Sequence, residues 1–269
     1  MIRKQQVSKS LLAQELGISR ASIYYVSKQL PKDWALKKDI EDLLSKEPSY
    51  GSPRVAEALH INRKRAARVM RLFGLKAYRR RGKKVRKSRV LGGHYPNLLL
   101  TNCPTYPHHI WVSDFTAIPW KNKFLYLATV LDLFTREVVG WSLQTTHGTG
   151  LVLQAFYVAL HYHSPPKIFH SDNGREYGAR AFTNVLLNLD IQISRSAPAS
   201  PWQNGYQESF YSQFKVDLGD PHRFLTLGEL VAEVCLLIWH YNHQRIHTVL
   251  KMPPLLFAER YQKLMQKVS

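Results

Sequence analysis

Cysteines, acidic residues and long apolar runs are all scarce in this chain of 269 residues. Only Cys103 and Cys235 are present, which excludes a disulfide framework and a paired-cysteine zinc motif. No uninterrupted apolar run reaches the roughly 18 residues that a membrane helix needs, and the N-terminus has no signal-peptide core. The sequence therefore predicts a soluble, cytoplasmic protein that makes no membrane contact.

The shortage of acidic residues is concentrated in one stretch. Lys and Arg total 38 against 19 Asp and Glu, which gives a formal net charge of +19. No acid lies between Glu57 and Asp114, whereas residues 61–89 contain fourteen Lys or Arg. Such an imbalance is typical of proteins that bind polyanions, and a membrane surface is the weaker alternative. We therefore expect nucleic acid as the partner.

The basic stretch also divides the chain. Residues 78–89 read YRRRGKKVRKSR, and such a run of like charges repels itself and cannot build a core. We predict a basic linker over residues 78–104, a helical DNA-binding region over 1–77 and a larger domain over 105–265. The length favours about two domains, and the hydrophobic content of 45% is ample for a packed core.

Two pairs of helices are predicted in residues 1–77, with one amphipathic helix between them whose apolar residues are Leu36, Ile40, Leu43 and Leu44. Gly17 permits a tight turn and Ser19 can cap the helix that follows, which resembles a helix-turn-helix. In the second pair, Ser52 caps a helix that starts at Pro53, and Asn62 caps a strongly basic helix. A basic helix face is usually only solvated, but beside the acid-free stretch DNA contact is the favoured interpretation. The candidate DNA-contacting residues of this helix and of the linker are Arg63, Lys64, Arg65, Arg68, Arg71, Arg79, Arg80, Arg81, Lys83 and Lys84.

From residue 110 the pattern changes to strands. Residues 110–118, 124–133 and 137–143 are rich in aliphatic and aromatic residues and are separated by short turns, which predicts three consecutive antiparallel strands. The later predicted elements are helix 150–162, strand 167–170, helix 181–189, strand 191–194 and helices 205–218 and 227–241. This order predicts an α/β fold around a five-stranded mixed sheet with flanking helices.

Three carboxylates lie in short, distinctive neighbourhoods of this domain. Asp114 lies in WVSDFT, Asp172 in HSDNG and Glu208 in PWQNGYQES, with 35 residues between the last two. Asp114 in an apolar strand would be a costly buried charge without a cation or partner. Asp172 also suits a turn, and Glu208 also suits a helix N-terminus. Together they offer the hard oxygen ligands that a pair of Mg²⁺ ions needs to act on a phosphodiester.

These motifs resemble the D,D(35)E catalytic core shared by retroviral integrases and bacterial insertion-sequence transposases. The residues that carry the resemblance are HSDNG at 170–174, QNGYQES at 203–209 with Lys215, and YNHQRIHTVL at 241–250. Residues 50–54 and 62–75 resemble the helix-turn-helix that precedes the core in the OrfB product of copy-out–paste-in elements. The resemblance covers about residues 45–260, and the chain lacks the histidine–cysteine zinc module of retroviral integrases.

The resemblance implies an RNase H-like catalytic core preceded by an all-α DNA-binding region. Asp114, Asp172 and Glu208 would hold two Mg²⁺ ions per active site, for which Mn²⁺ would substitute. Gln203, Asn204 and Lys215 would contact DNA near these ions. The chain would cut and join double-stranded DNA at element ends and target as a homo-oligomer. It would work alone, with an upstream-frame OrfA product or as a fusion to it, in association with a bacterial nucleoid.

Several alternatives remain open at this point. A nuclease of the same fold would cut DNA without joining it, and a DNA-binding regulator with a disabled core would do neither. The complete acidic trio argues against the regulator. Tyr206 and Tyr211 suggest a tyrosine recombinase, but the arginine–histidine–arginine constellation of that class is not apparent. Asp132 and Glu176 are expected in a strand-end turn and on the surface, and we assign no role to Gln207, where the family commonly has smaller or apolar residues.

Overall fold

The computed structural model describes residues 8–24, 29–78, 95–197 and 204–268. Its first part is helical, with elements α1 (Lys9–Glu15), α2 (Arg20–Tyr24), α3 (Gln29–Lys46), α4 (Ser52–Ala58) and α5 (Arg63–Leu72). Gly17, with φ of +62°, makes the turn between α1 and α2, and the Ser22 N–H donates to Ser19 Oγ at 3.2 Å. The predicted turn and its cap are therefore confirmed.

Helices α3, α4 and α5 pack around a small apolar core that includes Ile40, Val55 and Val69. Asn62 caps α5 as predicted, because its side chain accepts a hydrogen bond from the Lys64 N–H at 2.8 Å. The predicted Ser52 cap is wrong. Ser52 is the first residue of α4, and the capping position falls on Gly51, which has no side chain to accept the bond.

A mixed sheet forms the larger part of the protein. Its strands are β1 (Ile110–Trp120), β2 (Lys123–Asp132), β3 (Val138–Gln144), β4 (Ile168–Ser171) and β5 (Gln192–Arg195). The strand order is β3-β2-β1-β4-β5. The first three strands pair antiparallel, whereas β4 pairs parallel with β1 and β5 pairs parallel with β4. The predicted five-stranded mixed sheet is therefore confirmed, and β1 lies at its centre.

Helices cover both faces of this sheet. They are α6 (Thr149–Tyr162), α7 (Arg175–Gly178), α8 (Arg180–Asn188), α9 (Gly205–Leu218), α10 (Leu227–His243) and α11 (Pro254–Val268). Successive residues of a strand point to opposite faces. Ile110 and Val112 accordingly join the core beneath α9 and α10, while Trp111 joins the core beneath α6 and α8. A Cβ at Gly140 would lie 2.3 Å from the Ala155 carbonyl oxygen, so glycine permits α6 to pack this closely on β3.

Two helices and one packed segment were not predicted. Helix α7 has only four residues, and helix α11 follows a proline-containing loop. Helix α11 continues to Val268, beyond the predicted domain end at residue 265. The last part of the predicted linker lies against β5, where the Arg195 N–H donates to the Pro96 carbonyl at 3.1 Å and the Leu98 N–H donates to Ser194 Oγ at 2.9 Å. Residues 79–94 of that linker lie outside the described residues.

A buried arginine joins the helical region to the core. Arg245, only 2% exposed, follows α10 and hydrogen-bonds to Asp217 of α9 and to Ser49 just before α4. It also faces Glu47 at 3.4 Å. Two carboxylates, one from each part of the chain, therefore balance one guanidinium. None of the helices in the described ranges has the length and apolar character needed to cross a bilayer.

Candidate active site

The three predicted carboxylates lie on neighbouring elements. Asp114 is on β1, half-buried, and its Oδ1 accepts a hydrogen bond from the Phe115 N–H at 2.9 Å. Asp172 directly follows β4, the parallel neighbour of β1, and its Oδ1 accepts from the Gly174 N–H at 2.9 Å. Glu208 lies exposed in the first turn of α9, which packs on β1. The central strand thus has one acid of its own and one on each adjoining element.

Asp114 lies within the electric fields of the other predicted site residues. Burial first, and then the charges of Asp172 and Glu208, together raise the pKa of Asp114 to about 7, against the Phe115 hydrogen bond and the charge of Lys215. Burial also raises the pKa of Asp172, against the Gly174 hydrogen bond and the Arg195 charge. Lys215 lies two turns along α9 from Glu208 and close enough to Asp114 to favour its ionised form. The structure therefore brings Asp114, Asp172, Glu208 and Lys215 together.

The donor chemistry of the three acids fits a hard divalent cation. They supply only carboxylate oxygens, and a cation between them would offset the repulsion that raises the pKa of Asp114. Within the described ranges, no group of three or more His, Cys, Asp and Glu side chains is placed so that it could hold a metal ion. Mg²⁺ does not require three protein ligands at once, because it is usually bound through one or two carboxylates and keeps several waters. The residues present are therefore compatible with Mg²⁺.

Gln207, to which the sequence assigned no role, links α9 to the sheet through buried hydrogen bonds. Its side chain is fully buried, and its Nε2 donates to the Val112 carbonyl at 2.8 Å and to the Thr129 carbonyl at 3.3 Å. Its Oε1 accepts from Thr129 Oγ1 at 3.0 Å. Val112 lies two residues before Asp114 on β1, and Thr129 lies directly opposite Asp114 on β2. The polar residue next to Glu208 therefore sets the height and rotation of the helix over the central strands.

Tyr211 provides a second anchor one helical turn farther along α9. Its hydroxyl donates to the Asp114 carbonyl at 2.6 Å and lies 2.9 Å from Thr129 Oγ1, whose one proton is shared between Tyr211 and Gln207. Burial holds the pKa of this phenol well above its usual value. A buried phenol that is already hydrogen-bonded to the backbone serves as structure, which removes the support for a tyrosine-recombinase interpretation at this position.

The Asp172 turn is held by polar residues of β4 and β5. His170, fully buried, forms hydrogen bonds with Ser194 Oγ at 2.8 Å and Ser196 Oγ at 3.0 Å. Burial and the Arg195 charge lower its pKa to about 4, so the ring is neutral at pH 7. Arg195 itself donates to the Asp172 carbonyl at 3.2 Å and to Ser171. The histidine of the HSDNG motif thus positions the aspartate and carries no charge.

The two spare acids differ in outcome. Asp132 is fully buried at the end of β2, and its Oδ1 accepts from the Phe134 N–H at 2.6 Å, which confirms the predicted strand-end turn. The prediction that Glu176 lies on the surface is wrong, because its side chain is only 14% exposed and pairs with His147 at 3.0 Å. Its charge raises the pKa of Asp172, which places it beside the acidic site.

The predicted DNA-contacting residues differ in their surroundings, and Lys215 lies beside Asp114. Arg63, Lys64, Arg65 and Arg71 are exposed on α5, away from its buried face. Arg68 instead clamps the buried Asp33 of α3 with two hydrogen bonds of 2.6 Å, so it also has a structural role. The side chain of Asn204 is only 5% exposed, so this conformation gives no support for a DNA contact through it. The remaining candidates lie outside the described residues: Arg79, Arg80, Arg81, Lys83, Lys84 and Gln203.

Comparisons with known proteins agree with this arrangement. Two models of the integrase core domain match residues 104–201 and 189–254. The transposase for insertion sequence element IS904 of Lactococcus lactis is 31% identical over 216 residues, which cover 74% of this chain and 83% of that protein. The putative transposase InsK for insertion sequence element IS150 of Escherichia coli is 32% identical over 251 residues, which cover 87% of each.

A solved structure supports the fold independently of close sequence similarity. A chain in the cryo-EM structure of the simian T-cell lymphotropic virus intasome, in complex with PP2A regulatory subunit B56 gamma, superposes with a TM-score of 0.51 at 16% identity. The match covers 77% of this chain and 74% of that chain. With the mixed sheet and its flanking helices, it confirms the RNase H-like fold. The chain belongs to the insertion-sequence transposases that contain an integrase core domain.

Proposed function

We propose that this transposase cuts and joins DNA strands at the ends of an insertion sequence, with two Mg²⁺ ions held by Asp114, Asp172 and Glu208. The convergence of these three carboxylates from β1, the end of β4 and α9 is the observation that supports it most strongly. The family supplies the reaction class, DNA transposition. Mn²⁺ would substitute for Mg²⁺, because both accept carboxylate and water oxygens.

The protein's contribution is to hold the carboxylates in place around a phosphodiester. When bound, the metal pair would activate the attacking hydroxyl and stabilise the leaving 3′-oxygen. Asp114 is fixed through its own backbone by Tyr211, and Glu208 is fixed through its neighbour Gln207. Lys215 places a positive charge next to this site, where it would contact a DNA phosphate. No serine or tyrosine nucleophile is needed for this chemistry.

The basic surface supports double-stranded DNA as the partner. Arg63, Lys64, Arg65 and Arg71 form an exposed basic face on α5. We propose that residues 1–77 recognise the element ends, that the basic residues 78–89 of the linker follow the DNA backbone and that residues 105–265 cut and join. Assembly would be as a homo-oligomer on DNA, and an upstream-frame OrfA product, separate or fused, is the expected partner protein.

A strand-transfer assay tests the proposal. Labelled duplexes that carry the element end, incubated with protein and Mg²⁺, should be cut and joined to a second duplex. Asp172→Asn and Glu208→Gln keep the side-chain shape but remove charge, and each should abolish both steps while DNA binding persists. Glu259→Gln is the matched control, because Glu259 is an exposed acid of α11.

The alternative functions give different results in the same assay. Cutting without joining by the unaltered protein would identify a nuclease. Binding without either step, in both Mg²⁺ and Mn²⁺, would identify a regulator. Near-normal joining by Asp172→Asn or Glu208→Gln would remove that residue from the ligand set.

A further inference from the structure

A cavity of about 200 Å³ lies on the side of α9 where the helical region meets the core. Its walls come from α4, the β2–β3 turn, the first half of α9 and the segment after α10. Most of its wall is apolar, and polar or cationic side chains are set into that wall: Arg54, Arg136, Tyr206, Gln213, Arg245 and His247. None of the three carboxylates of the candidate active site contributes to it.

Two of these arginines have buried N–H groups that are unpaired within the described parts of the chain. Arg54 Nε and both Nε and Nη1 of Arg136 are shielded from solvent and have no hydrogen-bond partner there. Both guanidinium groups are nonetheless held in place. Arg54 Nη1 donates to Gln213 Oε1 at 3.1 Å, and the Arg136 guanidinium lies 4.4 Å from the centre of the Tyr206 ring. An unmade buried hydrogen bond costs about 1–3 kcal/mol, and more for a charged group.

The charges in the cavity do not balance. Arg245 is matched by Asp217 and Glu47. Neither Arg54 nor Arg136 forms a salt bridge with any carboxylate that the structure describes. Asp217 reaches Arg54 only as a more distant charge. Three guanidinium groups therefore face two carboxylates, and the unpaired N–H donors of Arg54 and Arg136 would be satisfied by an anion.

His247 reports the same positive field. Burial lowers the pKa of this side chain to about 4, with the charges of Arg136, Arg54 and Arg245 acting in the same direction. Its Nδ1 accepts a hydrogen bond from the Val249 N–H at 3.3 Å, so the proton of the neutral ring is on Nε2. The cavity thus contains a further neutral donor besides its cations.

The position of the cavity relates it to the three acids. With 3.6 residues per turn, Glu208 and Lys215 fall on one flank of α9, whereas Tyr206 and Gln213 fall on the other. The ridge between the flanks, which includes Ser212, is exposed. A DNA strand that leaves the acids and crosses this ridge would place a later phosphate at the cavity.

We propose that this cavity binds one phosphodiester group of the DNA backbone, shared by Arg54 and Arg136. The identity of the polymer rests on the proposed function, whereas the anion site rests on the unpaired guanidinium groups. Arginine matches phosphate oxygens with paired N–H donors. Arg54 belongs to the helical region and Arg136 to the core, so one shared phosphate would fasten the two parts together when DNA binds.

The salt dependence of DNA binding, measured without divalent metal, tests whether the two arginines share a phosphate. The DNA-binding constant K falls as salt concentration rises, and each phosphate that the protein no longer neutralises lowers the magnitude of the slope of log K against log salt by about 0.9. The double variant Arg54→Gln/Arg136→Gln should lower it by about 0.9, because both residues hold one phosphate, and neither single variant should lower it by more than that. Arg260→Gln, which removes an exposed arginine of α11, is the matched control and should leave the slope unchanged.

A variant at the mouth of the cavity guards against misfolding. Val249 lines the cavity but is 71% exposed, so Val249→Glu adds an opposing charge without burying it. It should weaken DNA binding, whereas Leu225→Glu, at a residue 76% exposed and outside the cavity, should not. In a second arm, sulfate at fixed ionic strength should raise the melting temperature of the unaltered protein and should have less effect on Arg136→Gln.

The outcomes separate this inference from the proposed function. An unchanged slope in the double variant, in a protein that binds DNA, would overturn the cavity's role and leave the transposase proposal intact. A fall of about 1.8 in the slope of the double variant would overturn the single shared phosphate. If Arg136→Gln removes the stabilisation by sulfate but the salt dependence of DNA binding is unchanged, the cavity binds a free anion instead of DNA. Failure of the unaltered protein to bind DNA would overturn both proposals, and the sulfate arm would still decide whether the cavity accepts an anion.

Discussion

Gln207→Leu tests whether the residue beside Glu208 positions the active site. The substitution keeps the approximate volume but removes the hydrogen bonds to the Val112 and Thr129 carbonyls and to Thr129 Oγ1. A buried polar group left unpaired costs about 1–3 kcal/mol. We expect a loss of about 2 kcal/mol, because the added apolar contacts offset part of the penalty, and this corresponds to a fall in melting temperature of roughly 4–8 °C for a protein of this size.

The catalytic effect of the same substitution should exceed its effect on binding. Without the hydrogen bonds of Gln207, α9 can rotate or shift relative to β1, so Glu208 is no longer fixed relative to Asp114. We expect at least a tenfold fall in the strand-transfer rate, with DNA binding in the absence of metal unchanged. Gln192→Leu, at an exposed amide on β5, is the control and should alter neither property. Unchanged stability together with unchanged joining in Gln207→Leu would refute the positioning role.

Three further predictions concern other parts of the protein. Arg245→Gln removes the cation paired with Asp217 and leaves Glu47 with His240 alone, so it should cost about 3–5 kcal/mol. It should also expose residues near 47–49 to limited proteolysis, and resistance equal to that of the unaltered protein would contradict this. Burial and the charge of Asp132 raise the pKa of Glu137 from 4.5 to about 7, so between these pH values the folded state keeps a proton that the unfolded state releases. The free energy of unfolding should therefore fall as pH rises from about 4.5 to 7, by up to about 3 kcal/mol. Glu137→Gln should remove this dependence when melting temperatures are measured across that pH range. The third change neutralises five basic residues of the linker: Arg79, Arg80, Arg81, Lys83 and Lys84. The salt dependence of DNA binding should weaken, with the slope of log K against log salt falling in magnitude by about 0.9 for each DNA phosphate that these residues neutralise. An unchanged slope would exclude contact between these residues and the DNA backbone.

The sheet and most helices could be predicted because their signals are local. Strands β1, β2 and β3 are rich in aliphatic and aromatic residues and are separated by short turns, and α9 and α10 have buried apolar residues three or four positions apart. The positions of Asp114, Asp172 and Glu208 followed from motifs that each span only a few residues. Convergence of the three then follows from the adjacency of β1 and β4 and from the packing of α9.

The residues that could not be predicted depend on partners far away in the sequence. Gln207 contacts carbonyls of residues 112 and 129, and Arg245 contacts residues about 200 positions earlier. Arg54 resembled any other basic residue of a basic region, and only its place beside Arg136 distinguishes it. The sequence signal available for Gln207 and Arg245 was a polar or charged residue among apolar neighbours, which does not identify the partner.

A crystal structure of the protein with Mn²⁺ and an element-end duplex, recorded with anomalous scattering, tests the central claim most directly. Two manganese peaks should lie about 3.5–4 Å apart, ligated by Asp114, Asp172 and Glu208 and by an oxygen of the DNA backbone. Manganese bound elsewhere, for example by Glu176 and His147, with those three carboxylates unligated, would contradict the assignment of the active site.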